Sequence, residues 1–286
     1  QMNKLTIPKV TLLWSTPEPR EVVAIAGRMT YSSKAVEELA EGLKEKEIEA
    51  TINAILERRH LSVLRHVVFM FSISGVSRAF SHQLVRHNIG HAYEQRSQHY
   101  RTEKDFNLIM PGTLDPESEA EYIELAERSQ QFYDDAVARG VPKDDARFGL
   151  PNGVETMLVW TANLEALLNF VQSRACRVNT PEIMQVAIMV RKIVLDHFPE
   201  MKKYLGPTCF TRGTCYEGKK FFEVCNKPWR SPTVLWTPRF PFEIELVGVG
   251  GSIKIIDTLA EVDKKAGEIK VTPFVPVNYP DVGGAQ

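Results

Sequence analysis

The stretch IMQVAIMVRKIVL, residues 183–195, is apolar on nearly every side and follows Thr180-Pro181-Glu182. An N-cap side chain, a proline at the first helical position and an acid in the first turn together mark the start of a helix over 182–198. A helix without a polar face has to be buried, either in a large core or between subunits. The chain can supply such a core, since it has 286 residues of which 43% are hydrophobic. Its formal charge of -1 argues against a general nucleic-acid or membrane-surface binder, which would need a broad basic excess, so any anion site must be local. No apolar run approaches the roughly 20 residues needed to span a bilayer, and no basic segment followed by an apolar one opens the chain. A cytoplasmic protein without nucleic-acid or membrane partners is therefore expected.

Residues 8–14 (PKVTLLW) and 67–73 (VVFMFSI) have strand length and strand composition and read as members of one sheet. Besides 182–198, the segments 36–58, 117–139 and 161–177 read as helices. After about residue 226, prolines at 228, 232, 238 and 241 break up the chain, and FEIELVGVGGSIKII and GEIKVTPFVPV then suggest short strands. The expected division is a main domain over 1–226 and a small β-rich extension over 227–286. The Gly-Val-Gly-Gly of the extension has no helix after it, so it reads as a turn and not as a phosphate cradle. Cys209, Cys215 and Cys225 cluster without a C-x-x-C pair, which favours reduced thiols over a zinc site, and no metal is expected.

Chemistry concentrates between Arg78 and Arg101, where four arginines and four histidines face a single acid, Glu94. If Val76 to Ile89 is helical, Gln83 and His87 share a face, as do His82 and Arg86. Phosphate is the expected target, because guanidinium forks match its oxygens; a solvated basic face with packed histidines is the alternative. In 161–177, Asn163, Leu167, Phe170 and Arg174 form one stripe that is largely apolar and ends in a cation. Burying that guanidinium is costly without an acceptor, so Arg174 should meet an acid of the protein, or a bound anion or carbonyl. Arg147, which follows Asp144 and Asp145, would by itself pair with such acids. His82, His87 and His91 lack the accompanying ligands of a metal site, and Cys176 reads as a small buried residue rather than an activated thiolate.

Taken together, these segments resemble the flavin-dependent thymidylate synthases of the ThyX type. SRAFSHQLVRHNIGHAYEQRSQHY is similar to the family's signature, in which Arg-His-Arg is followed after seven residues by serine. Arg59-His60-Leu61-Ser62, His66, Ala146-Arg147, Leu150-Pro151, Asn163, Asn169-Phe170, Arg174 and Glu182-Ile183 follow in the family's order. The resemblance covers roughly residues 9–225. It implies an α+β fold with a central, antiparallel-rich sheet flanked by helices, and a homotetramer with active sites between subunits. It also implies FAD as cofactor, with NADPH and methylenetetrahydrofolate as co-substrates, for the reductive methylation of dUMP to dTMP.

Carried over position by position, the resemblance implies FAD contacts at Arg86, His87 and Asn88, with Ser62, Asn163 and Asn169 around them and Thr30 and His60 as further candidates. Gln83, Arg86, Ser97, His99, Arg147 and Arg174 match nucleotide contacts, and Arg174 matches the catalytic arginine that stabilises negative charge on the pyrimidine. Departures fall in the same region. Asn88 replaces the third residue of Arg-His-Arg, one extra residue precedes Ser97, and His99 stands where an arginine grips phosphate. The family's acid aligns with Glu94 counted from one side and with Gln95 counted from the other. Val178 and Thr180 replace a histidine and a glutamine. Two alternatives stay open: a flavoenzyme methylating or hydroxymethylating UMP or another pyrimidine nucleotide, and an inactive relative that binds flavin or nucleotide.

Overall fold

The computed structural model describes residues 4–5, 8–99, 106–212 and 243–246. A five-stranded sheet in the order β4-β6-β3-β2-β7 organises it. Central β3 (Val68–Ser77) runs antiparallel to β2 (Lys9–Ser15) on one side and to β6 (Glu155–Asn163) on the other. β4 (His91–Gln95) lies antiparallel to the outer edge of β6, and β7 (Glu243–Leu246) pairs in parallel with β2. A short parallel pair, β1 (Lys4–Leu5) with β5 (Leu108–Ile109), stands apart from the main sheet. The expected mixture of helices with an antiparallel-rich sheet is thus observed.

Phe69, Phe71 and Ile73 on β3 and Leu158, Trp160 and Ala162 on β6 alternate into one core with residues of α1 (Pro19–Met29), α3 (Glu45–Arg58), α7 (Leu164–Arg174) and α8 (Pro181–His197). α8 answers the question posed by its sequence: its apolar surround is met within the chain, with eleven buried residues from Ile183 to Val194. Met184 and Ile188, on its other side, pack with Cys209 and Phe210. Next to this body, α5 (Pro116–Ala138) covers Phe106, Leu108, Met110 and Val154.

Three elements differ from expectation. Residues 36–58 divide into α2 (Val36–Glu41) and α3, parted at Gly42. Helix 161–177 begins later, because Thr161–Asn163 complete β6; its sequence ETMLVWTAN alternates between the two sheet faces, and this period-two pattern prevails there. The stretch 76–89 forms only the short helix α4 (Arg78–Leu84), with Ser77 Oγ capping it by accepting from Phe80 N–H at 3.0 Å. His87 and Arg86 therefore lie beyond the helix and do not continue its faces. Cys215, Cys225 and most of 227–286 fall outside the described residues; among the described residues no group of His, Cys, Asp or Glu is arranged to hold a metal. No described helix is long and apolar enough to cross a membrane.

Candidate active site

Asn163 ends β6 and starts α7: its side-chain oxygen accepts the Ala166 N–H at 2.9 Å, while its own N–H donates to the Gly90 carbonyl at 3.0 Å. The loop before β4 is thereby pinned to the head of α7. Gly90 has φ +80°, and a β-carbon there would lie 2.5 Å from Asn163 Nδ2, so both its backbone conformation and its close approach require glycine. One turn after another of α7 then buries Leu167 and Phe170 and brings Arg174 to the helix end.

Arg174 meets three neutral acceptors. Its Nε donates to His87 Nε2 at 2.9 Å, one terminal nitrogen to Asn179 Oδ1 at 3.0 Å, and the other to the Gln83 carbonyl at 3.3 Å. No carboxylate pairs with it among the described residues, contrary to the salt bridge weighed from sequence, and burial lowers its pKa from the usual guanidinium range. Asn179 is itself fixed, since its Nδ2 donates to the Ser173 and Cys176 carbonyls at 2.8 and 3.1 Å. Nothing in the sequence singled Asn179 out; the signal was its place just after a buried cation, where an amide can donate backward and accept forward at once. Thr180 stands at the N-cap position of α8 without capping it, and its hydroxyl donates instead to Gln83 Oε1 at 3.2 Å.

Behind Arg174 stands an aromatic wall. The His87 ring meets Phe170 edge-on with centroids 5.2 Å apart, and the His91 ring stacks on Trp160 at 5.7 Å. Trp160 Nε1 donates to His91 Nδ1 at 3.0 Å. Burial, with the Arg174 charge beside it, lowers the pKa of His87 to about 4, and burial with His87 as neighbour does the same for His91. Two of the four histidines in the basic stretch are consequently neutral acceptors near pH 7, as in the packed-histidine reading, and lend no charge to an anion site. The single Tyr93 hydroxyl proton is shared between the Leu84 and His87 carbonyls and closes the turn between α4 and β4.

Glu182, partly buried in the first turn of α8, accepts from Ser77 N–H at 2.6 Å and from Ser77 Oγ at 2.7 Å. Burial raises its pKa and outweighs the two hydrogen bonds, which act in the opposite direction. Its acid ties the start of α4 to the start of α8, so the carbonyl and side chain of Gln83 are held over Arg174 and Thr180.

The remaining sequence candidates divide in two. Ser97, His99 and Arg147 gather around Asp144: His99 Nδ1 bonds its carboxylate, Arg147 lies 3.2 Å away, and the His99 N–H donates to Ser97 Oγ at 3.1 Å. Arg147 thus has the nearby acid partner expected of it. Arg86, Asn88, His60, Ser62, Asn169 and Glu94 are exposed, and their side chains make no hydrogen bond or ion pair within the described residues. Gln95, the rival of Glu94, is used internally, donating to Ser81 Oγ and Thr156 Oγ1 at 3.0 Å each. Thr30 closes α1 by donating to the Gly27 carbonyl at 3.0 Å.

The α+β body thus presents Arg174 on three neutral supports, with further exposed donors on the loop after α4. The chain belongs to the family of the thymidylate synthase complementing protein (Thy1), whose model matches residues 11–200. A relative from Geobacter sulfurreducens, described as a flavin-dependent thymidylate synthase, is 39% identical over 214 residues, covering 73% of this chain and 91% of its own. One from Clostridium tetani with the same description is 36% identical over 228 residues, with the same two coverages. Among solved structures, the UMP/dUMP methylase PolB from Streptomyces cacaoi, bound with 5-Br dUMP, superposes with a TM-score of 0.63 at 20% identity. That match covers 74% of this chain and 99% of the methylase, and it carries the likeness of fold.

Proposed function

We propose that the chain is a flavin-dependent thymidylate synthase, converting dUMP to dTMP with FAD as cofactor and with methylenetetrahydrofolate and NADPH as co-substrates. Relatives at 34–39% identity bear that activity in their names. The observation that carries the reading is Arg174, a partly buried cation supported by three neutral acceptors. A carboxylate partner would cancel its charge; His87, Asn179 and the Gln83 carbonyl orient it and leave the charge available to a pyrimidine ring that becomes negative during reaction. Gln83, already placed by Thr180 and Arg174, would orient the base.

The residues present fit a flavin dinucleotide. Arg86 and Asn88 offer donors that the fold does not use, Ser62 and Asn169 add polar groups, and Ile89, 87% exposed, offers an apolar contact beside them. When bound, the flavin supplies the redox chemistry, accepting hydride from NADPH and delivering it to the nucleotide. The chain would hold the dinucleotide through Arg86 and Asn88 and grip the nucleotide phosphate through Ser97, His99 and Arg147, with the two neutral histidines held in place from behind by the buried Phe170 and Trp160. A homotetramer with sites between subunits accounts for donors that face away from their own chain.

A second reading, methylation of UMP or another pyrimidine nucleotide, draws on Asn88 and His99 standing where the family pattern has arginines, and on a fold neighbour described as acting on both UMP and dUMP. Anaerobic reoxidation of the NADPH-reduced protein by methylenetetrahydrofolate, with dUMP or UMP supplied separately and the product weighed by mass spectrometry, decides between the two. Formation of dTMP is expected. Selective conversion of UMP would install the second reading, and protein lacking both bound flavin and nucleotide affinity would refute both.

A further inference from the structure

At the phosphate end of the proposed nucleotide site, Asp144 on the one-turn helix α6 (Lys143–Ala146) bonds both His99 and Arg147. At the base end the corresponding part is played by the start of α8. Its first two polar residues reach across to α4 and take hold of it at opposite ends. The Glu182 carboxylate accepts from Ser77, the N-cap of α4, and the Thr180 hydroxyl donates to Gln83 Oε1 at 3.2 Å in the last turn. Thr180 occupies the N-cap position of α8, where a threonine hydroxyl ordinarily accepts a first-turn N–H and stabilises the helix. Here it makes no such bond. A local preference given up for a distant contact is what a site, rather than the fold alone, imposes on a residue.

What Thr180 fixes can be separated from what its neighbours fix. Glu182 already locates the head of α4, and Arg174 already locates the backbone of residue 83 by donating to its carbonyl at 3.3 Å. Left over is the Gln83 side chain, whose rotatable bonds would let its amide take up many positions. Among the described residues its one hydrogen bond is the bond to Thr180. Asn179, the preceding residue, accepts from Arg174 at 3.0 Å, so consecutive residues hold the two groups assigned to the base. We propose that Thr180 is a positioning residue for substrate recognition: its hydroxyl, diverted from capping α8, preorganises the Gln83 amide for the pyrimidine before the nucleotide arrives. The inference rests on reading this region as a nucleotide site.

The test compares steady-state turnover of the flavin-loaded full chain, unaltered and as Thr180→Val and Thr180→Ser, with dUMP and UMP supplied separately. Valine keeps the branched shape and removes the hydroxyl, whereas serine keeps the hydroxyl. For Thr180→Val, KM for the nucleotide should rise about fivefold while kcat stays within about twofold, as when ground-state binding is lost. Thr180→Ser should keep KM near that of the unaltered chain. Calorimetric titration of the nucleotide should show the loss from Thr180→Val with Gln83 in place and little further loss in a Gln83→Ala background. An unchanged KM would overturn the inference, as would a serine variant as impaired as the valine one, or an equal loss with and without the Gln83 side chain. A lower denaturation midpoint with KM unchanged would make Thr180 an ordinary helix cap and overturn it too. Failure of the unaltered chain to turn over either nucleotide would instead refute the nucleotide site on which the inference stands.

Discussion

The inner wall of the site and its outer rim are built from the same stretch of sequence, yet they follow opposite rules. On the wall, His87, His91, Trp160 and Phe170 are packed ring against ring, with Trp160 Nε1 donating to His91 and His87 Nε2 accepting from Arg174. On the rim, Arg86 and Asn88 are exposed and their side chains bond nothing within the described residues. The difference separates two arrangements: the wall fixes one cation without neutralising it, and the rim leaves donors unused among the described residues. A basic cluster in a sequence is therefore not one electrostatic object, since burial silences two of its histidines while Arg86 stays exposed.

The most severe way to break the wall is Phe170→Ala, which removes a fully buried ring that touches both His87 and Trp160. About 3–5 kcal/mol of stability should be lost, read from denaturant midpoints, and a smaller loss would show that the wall collapses onto the cavity. Arg174→Ala should act on chemistry instead. Nucleotide-dependent turnover should fall about a hundredfold or more while flavin content stays unchanged, and near-normal turnover would remove Arg174 from the mechanism.

Acid should dissolve the same wall by protonation. Both histidines are held to about 4 in the folded chain, while unfolded they titrate near 6.5. Below pH 6.5 the unfolded chain therefore takes up protons that the folded one refuses, and stability declines until about pH 4, where the folded rings protonate too. Denaturation midpoints at pH 7, 5.5 and 4 would trace the decline. His91→Gln, which can still accept from Trp160, should make it shallower, and an unchanged slope would mean that other groups cause it.

How far the sequence discloses this arrangement depends on the scale of the signal. α8 was legible because an all-round apolar helix permits only burial, and β2 and β3 because apolar runs of strand length have few other uses. β6 was hidden inside a helix reading: Thr161 to Asn163 are followed directly by helical residues, and the change of period from two to 3.6 falls at Asn163 itself. The cation of Arg174 could be found from its stripe, but its acceptors could not. They come from residues 83, 87 and 179, a backbone carbonyl, a ring nitrogen and an amide, and no local spacing links such groups across 90 residues. Glu182 was visible as a first-turn acid, but nothing local told that its carboxylate bonds the backbone and hydroxyl of Ser77, 105 residues away.

The rim gives the smallest effect on stability and for that reason the sharpest contrast. Arg86 lies past the end of α4, exposed and without an ion pair among the described residues, so Arg86→Ala removes no contact on which this fold depends. Its unfolding free energy should stay within about 0.5 kcal/mol of the unaltered chain, the range usual for surface positions away from caps and networks. Flavin content, measured by absorbance after purification, should nevertheless drop several-fold, because a guanidinium without an internal partner is available to a diphosphate in a way the buried histidines are not. If Arg86→Ala instead destabilised the chain and left flavin bound, the rim would be a structural surface, and the division between wall and rim would fail at the residue where it is drawn most simply.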